Sequence, residues 1–476
     1  MGEPVAEPGA DARRSLRDGA LLGLCAFAVY ALLRQRTLHG DATALLSQPA
    51  AAPWWWARPL ELLAAAVRPA GVQVAGAALL LAAAAGALGV AVLHRAATTL
   101  GLPRRAAVYA TALTGACPAV LFFATTAHVH ALLFLFAAVA FAASAAWASR
   151  PVWWRAVAAG AAAALASPAP GLGAWLPLLL VPWQWLERRE RERTAALPPL
   201  PLRRQLLQSL LFCAVFVGLA ALSGAARTQL PARDEWLGYD LATLLRIAGR
   251  DWLRAYLLLS LVWAYALCRS RWQQPARWLG AALAFHLVIG CHASGRQGDE
   301  GSFLLPFAFP CALLAVRALP RRALLPLLLL SLAVAVVKVR VHGDRERIDA
   351  FAAAMRAEAT ASPLVLLTDA RLDTEALLVR PVAADRDAAR LRVLVVVLPE
   401  LARASAGGVD FAVSLLRAQH RAGRRLLLTG AGEDLLAEGA RNNAPGLGDL
   451  CRRLEAEFVW QPRERDGCLW FELVPR

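Results

Sequence analysis

The chain has 476 residues, of which 58% are hydrophobic and only 18% charged, and its formal net charge is +16. A soluble domain is nearer ~45–50% apolar and ~25% charged, and here the apolar excess lies before residue 341, in blocks separated by arginines. This excludes a soluble enzyme of ordinary composition, a disordered chain and a nucleic-acid binder with its charge on one face.

Apolar stretches near the length that crosses a hydrocarbon core of about 30 Å occur at 18–37, 71–94, 106–126, 131–149, 153–168, 172–186, 205–224, 252–268, 278–294, 303–319 and 322–341, about eleven transmembrane helices in all. The two flanking Pro168-Ala-Pro170-Gly171 are short. They fit either a helical hairpin with a tight turn or one span plus a re-entrant piece. The first run follows Arg13, Arg14 and Arg17 and is followed by Arg34 and Arg36 with no small-residue cleavage pattern, so it reads as a span and not as a cleavable signal.

Charge sets the orientation. Residues 344–476 hold 19 Arg against 20 Asp and Glu, which leaves 32 of the 51 basic and 15 of the 35 acidic residues before them. One set of short connections carries Arg95, Arg104, Arg105, Arg150, Arg155, the run from Arg188 to Arg204, and then Arg269 to Arg277 and Arg317 to Arg322. By the positive-inside rule this set is cytoplasmic. Residues 1–17 are then a cytoplasmic tail, 18–341 a membrane domain with an outer loop over 38–70, and 342–476 an extracytoplasmic domain. The expected location is the inner membrane, multi-pass. Reading the Pro168 hairpin as a single crossing would move the tail to the cytoplasm. Lys338 is the only lysine. The basic surplus serves topology and gives no sign of a nucleic-acid partner.

The tail alternates helix and strand patterns. A helix is expected over 349–361 and strands over 363–369, 391–398, 425–432, 458–461 and 468–474, a small α/β layer with a partly parallel sheet. Thr429-Gly-Ala-Gly-Glu433 lacks the third glycine of a dinucleotide fingerprint and the Lys-Ser/Thr of a P-loop, so it reads as an ordinary turn. Cys451 and Cys468 are able to pair if the tail is periplasmic.

Ionisable residues that topology does not explain gather on the outer side. The first outer loop holds His39 and Asp41, then Trp54-Trp-Trp-Ala-Arg58-Pro-Leu-Glu61, where apolar residues at helical spacing after a Trp triplet suit an interfacial amphipathic helix. Asp41 reads either as an exposed N-cap or as a general base at a cavity mouth. His128 and His130 fall between the third and fourth spans; with His39 and Asp41 they make a set able to hold a divalent metal ion or a phosphate. Arg296, in the loop before Phe303, offers bidentate donors for a phosphate group.

These residues resemble the GT-C superfamily of membrane glycosyltransferases. The likeness rests on the acidic residue of the first outer loop, Arg58-Pro-Leu-Glu-Leu-Leu opening a helix, the stretch from Arg104 to His130, and Phe303-Leu-Leu-Pro306 in place of a Tyr-x-x-Pro element. It covers roughly residues 15–340 and is nearest to protein O-mannosyltransferase-like and uncharacterised bacterial relatives. It implies transfer of sugar from a polyprenyl-phosphate sugar, within the lipid bilayer, to an unknown protein or glycan acceptor. Asp41 then matches the catalytic base, while His39, Arg58, His128, His130 and Arg296 are placed at the phosphate. Two departures stand out: His128 replaces an expected acidic residue, and Arg58-Pro59 replaces an expected His-Pro. The rival classes are a polyprenyl-linked glycan flippase or other transporter, and a non-catalytic scaffold. A transporter would show internal repeats and charges within spans, and neither is visible in the sequence.

Overall fold

The computed structural model describes residues 8–34, 54–70, 74–126, 129–167, 176–193, 198–222, 252–253, 256, 258–268, 277, 302–342, 351, 354–355, 357–368, 393–398, 401, 408–441, 446–465 and 468–476. They fall into two compact units, one up to His342 and one beyond it.

The first unit is helical: α1 (Pro8–Leu33), α2 (Trp54–Val67), α3 (Val74–Thr99), α4 (Arg104–Gly115), α5 (Pro118–Thr125), α6 (His130–Ser149), α7 (Trp153–Ala164), α8 (Leu176–Arg193), α9 (Leu202–Leu222), α10 (Leu258–Leu267), α11 (Ala308–Ala318) and α12 (Arg321–His342). Among the described residues, five helices are long and apolar enough to cross a membrane, in α1, α3, α6, α9 and α12. The bent pair α4–α5 makes a sixth if it is one span. The chain is therefore a membrane protein. The expected span over 278–294 lies outside the described residues. Its α3 packs along α1 on one side and α6 on the other, and alanines such as Ala78, Ala82, Ala97, Ala137 and Ala145 are buried. Small side chains let helices approach where apolar burial gives little driving force. Gly160 is an extreme case: a Cβ there would lie 2.6 Å from the Phe212 carbonyl oxygen of α9. Gly160→Leu is expected to cost at least about 3 kcal/mol, measured as a lower thermal midpoint of the detergent-solubilised protein.

The span expected over 106–126 is broken, with a bend of 60° between α4 and α5. Pro118 causes it: without an N–H it cannot donate to Thr114, and three carbonyls at the break need other donors. Thr114 O accepts from Cys117 N at 3.2 Å. Gly115 O accepts the Tyr30 hydroxyl of α1 at 2.9 Å, and Ala116 O accepts the Ser331 hydroxyl of α12 at 3.1 Å. At membrane depth no water replaces such partners. Tyr30→Phe and Ser331→Ala are each expected to destabilise by about 1–3 kcal/mol, read as thermal midpoints, while Phe27→Leu serves as a packing control.

The arginines read as loop collars are instead fixed at helix ends. Helix α8 runs on to Arg193, where a loop is expected from Arg188, because Arg188 and Glu192 pair at i,i+4 (2.8 Å). Arg188 also donates to Pro198 O, and Arg191 to Thr99 O and Ser149 Oγ. Arg317 forms a two-pronged pair with the buried Glu187 at 2.6 and 2.7 Å. Arg104 does the same with Asp18 at 2.5 and 2.7 Å, tying α4 to α1. Guanidinium groups thus meet carbonyls at the C-terminal ends of α3, through Arg191 and Thr99 O, and of α6, through Arg155 and Ala146 O.

The second unit holds a five-stranded sheet in the order β2-β1-β3-β5-β4, from β1 (Leu364–Thr368), β2 (Val393–Val397), β3 (Arg425–Thr429), β4 (Phe458–Arg465) and β5 (Cys468–Pro475). The first three are mutually parallel; β5 is antiparallel to β3 and to β4. Alternation along the strands sends Val365, Leu367, Leu426, Leu428 and Leu473 to one face, against α13 (Gly408–Arg421), α14 (Gly430–Arg441) and α15 (Leu447–Glu457). Leu364, Leu366, Leu427 and Trp470 go to the other, against Phe351, Ala354 and Met355. Cys451 belongs to the first layer and Cys468 to the second, and neither is in a disulfide. The sheet stands between them, so the expected disulfide does not form. Burial pushes the Cys451 thiol up to about 11. The Thr429 turn is an ordinary cap: its hydroxyl accepts the Gly432 N–H at 3.0 Å as α14 begins. A hydrogen bond from Arg425 holds the Glu472 carboxyl below its usual range, so this pair stabilises above pH ~4.3 and loses that contribution as pH falls further.

Candidate functional site

At the end of the helical unit opposite the arginine network lie the described helix ends that precede or follow the candidate residues in the chain. Tyr30, Leu121, Ala124, Ala335 and Val339 form one cluster, with Leu33 packed against it, so the C-terminal ends of α1, α5 and α12 lie together. The 3-10 turn Ser302–Phe307 packs against α5 and α6. Three chain ends therefore meet there: Leu33, after which come His39 and Asp41; Thr126, followed by His128; and Ser302, preceded by Arg296. His39, Asp41, His128 and Arg296 themselves lie outside the described residues.

All eight residues of α5 are buried. The hydroxyls of Thr125 and Thr126 fold back on Phe122 O, each at 3.0 Å, as the helix ends. From there a series of ring contacts crosses the site. The Lys338 ammonium of α12 stands 5.7 Å from the Phe122 ring centroid, Phe122 meets Phe123 edge-on at 5.1 Å, and Phe123 meets the His130 ring at 5.1 Å. His130 opens α6 and is buried. A cation held on an aromatic face and a buried imidazole are groups that suit an anionic oxygen such as a phosphate.

Sequence reasoning singled out His130 but passed over Lys338, Tyr30 and Ser331. Lys338 carried a signal, as the one lysine of the chain near the C-terminal end of an apolar run. Pro118, inside an otherwise continuous apolar run, was the signal for the break. Arg58 lies on the exposed face of α2, in an i,i+3 pair with Glu61 at 2.9 Å. The α2 helix does run from the Trp triplet as an amphipathic element, with Trp56 and Leu60 buried and Leu62 exposed.

No protein-family model matches this sequence, and no curated protein does. Solved structures do. ArnT from Cupriavidus metallidurans, bound to undecaprenyl phosphate, superposes with a TM-score of 0.53 at 14% identity, covering 95% of this chain and 97% of that one. The same protein in the apo state gives 0.52 at 14% identity over the same shares. The chain has the GT-C fold.

Of the residues expected to hold a metal ion, His39, Asp41 and His128 lie outside the described residues. Among the described residues no three of His, Cys, Asp or Glu come together as a cation site. His130 is the one described member of the expected pair, short of the three or four ligands a divalent ion takes, and no step below is routed through a metal.

Proposed function

We propose that this chain is an integral-membrane glycosyltransferase, which takes a sugar from a polyprenyl-phosphate donor and passes it to a hydroxyl of a protein or glycan on the extracytoplasmic side. The observation that carries the reading is the likeness, along nearly the whole of both chains, to a structure bound to undecaprenyl phosphate. In the proposed orientation the N-terminus and the arginine network face the cytoplasm, and the α/β unit lies outside.

The acceptor oxygen attacks the anomeric carbon, the bond from that carbon to the phosphate oxygen breaks, and the polyprenyl phosphate leaves with the electron pair. Asp41 takes the acceptor proton. The leaving phosphate gains charge as the bond opens, and cations held in place before the reaction stabilise it most where water is excluded. Arg296, His130 and Lys338 are assigned that role, with His39 and His128 on the same side. Ring contacts hold Lys338 and His130, so little reorganisation accompanies the step.

The test is transfer from radiolabelled undecaprenyl-phosphate sugars, offered in membranes that contain the chain, to endogenous or added acceptors. Label should appear in acceptor with the wild-type chain and vanish with Asp41→Asn at equal protein level. No transfer from any such donor overturns the reading. Unchanged transfer by Asp41→Asn overturns the base assignment alone.

A further inference from the structure

Three helix ends meet where Asp18 and Arg104 pair. The hydroxyls of Ser15 and Thr98 lie 2.9 Å apart and join α1 to α3, while the two-pronged Arg104–Asp18 pair joins α4 to α1. Glycines bring α1 and α3 close: a Cβ at Gly19 would lie 3.2 Å from Ala91 O, and one at Gly23 would lie 3.3 Å from Ala87 O. Residues 15, 19 and 23 of α1 are therefore level with about 98, 91–94 and 87–91 of α3, which run the other way. By this register Arg17 stands at the depth of Arg95, and Leu24 at the depth of Leu88.

The corner carries a surplus of positive charge above an apolar surface. Arg13, Arg14, Arg17, Arg95, Arg104 and Arg105 are all exposed there. The acidic residues of the three helices are Asp11 and Asp18, and Asp18 is buried under Arg104. By contrast Arg188, Arg191 and Arg317 are engaged with carboxylates, carbonyls and a hydroxyl of the protein itself. Further into the span the exposed side chains are leucines: Leu21 and Leu24 on α1 and Leu88 on α3. Arg14, Arg17, Leu21 and Leu24 recur at helical spacing and share one face of α1, and Leu88 and Arg95, seven apart, share one face of α3. Seven residues of helix span about 10 Å. Only 22% of the crossing stretch of α1 is buried, so this face is open to the bilayer.

We propose that the corner binds an anionic phospholipid of the surrounding bilayer, with its phosphate at Arg17 and Arg95 and its acyl chains along Leu21, Leu24 and Leu88. Cations at the membrane surface over an apolar helix face match a headgroup and its chains, and basic pockets between spanning helices recognise anionic headgroups on this principle. Binding here is independent of the transferase reading, since it lies at the other end of the helical unit and involves no chemistry.

Native mass spectrometry of the full-length chain in a non-ionic detergent tests it, with equimolar dioleoyl phosphatidylglycerol and dioleoyl phosphatidylethanolamine added. Each arginine contributes about fivefold to the preference for the anion, so retention of phosphatidylglycerol should exceed that of phosphatidylethanolamine ~25-fold. Arg17→Gln with Arg95→Gln should bring the ratio to about one, while Arg17→Lys with Arg95→Lys, which keeps the charge, should preserve most of it. If the double glutamine variant does not fold, Arg95→Gln alone should lower the ratio about fivefold. Arg203→Gln with Arg204→Gln removes the same charge from the exposed start of α9 and should leave the ratio unchanged. Equal retention of the two lipids, an unchanged ratio in the folded Arg95 variants, or an equal loss in the α9 variant overturns the proposal. So does displacement of the lipid by glycerol 3-phosphate at about 10 mM, which would make the ligand a free phosphate.

Discussion

Asp41→Asn is expected to slow sugar transfer by about 10²–10⁴-fold, with the protein present in membranes at wild-type level. Asparagine matches aspartate in size and hydrogen-bonds much as it does, so binding and folding should change little. What it lacks is the basicity to take a proton from the acceptor hydroxyl as the anomeric carbon is attacked. The loss should therefore fall on the turnover rate and leave the KM for the lipid donor close to wild type. Lys338→Gln should give the complementary pattern. Removing a cation near the departing phosphate weakens binding of the donor and of the transition state together, so kcat/KM falls through both terms. A drop in KM without loss of rate in Asp41→Asn would place the base elsewhere.

Glu187→Ala is expected to cost the helical unit about 3–5 kcal/mol. Its carboxylate is 5% exposed and takes both prongs of Arg317. Removing it leaves the Arg317 guanidinium near Arg191 with only the more distant Glu190 as counter-charge. Deleting one member of a buried pair costs more than deleting both, because the survivor stays desolvated and unpaired. The double variant Glu187→Leu with Arg317→Leu should accordingly recover much of the loss. Thermal midpoints of the single and double variants check this, and a double variant as unstable as the sum of both singles would show that the pair has no such coupling.

Much of this architecture can be read from residue pattern, and the failures have common causes. The strands β1, β2, β3, β4 and β5 fall at five apolar runs of the tail, because short β-branched and leucine-rich runs bounded by polar turns have little else to do than be buried. The arginines of the collar mark one end of the helical unit correctly, since location follows from composition. Their partners do not: Arg317 and Glu187 are 130 residues apart, and nothing local joins them. The same limit hid the break at Pro118. Hydropathy averages over the proline, and the hydroxyls that make the break tolerable come from Tyr30 and Ser331, remote in the chain. Helix α8 passes the expected end because charge pairs at i,i+4 sustain a helix beyond its apolar stretch. Whether Cys451 and Cys468 pair could not be read from the sequence, because cysteine content says nothing about which face of a sheet each thiol occupies. Of the candidate site, His130 was legible from its position between two apolar runs. Lys338 was marked only by being the one lysine, and it gains meaning when Phe122 is seen beneath it.

The bent helix pair also bears on how the protein is made. Ribosomes deliver the chain from its N-terminus, so Tyr30 is in the membrane before Gly115 needs it, whereas Ser331 is synthesised 215 residues after Ala116. Until α12 inserts, the break between α4 and α5 holds a carbonyl, that of Ala116, whose eventual donor does not yet exist. Late arrival of the final span therefore completes a segment inserted early, and the α4–α5 break acquires its finished form only when synthesis has passed residue 331.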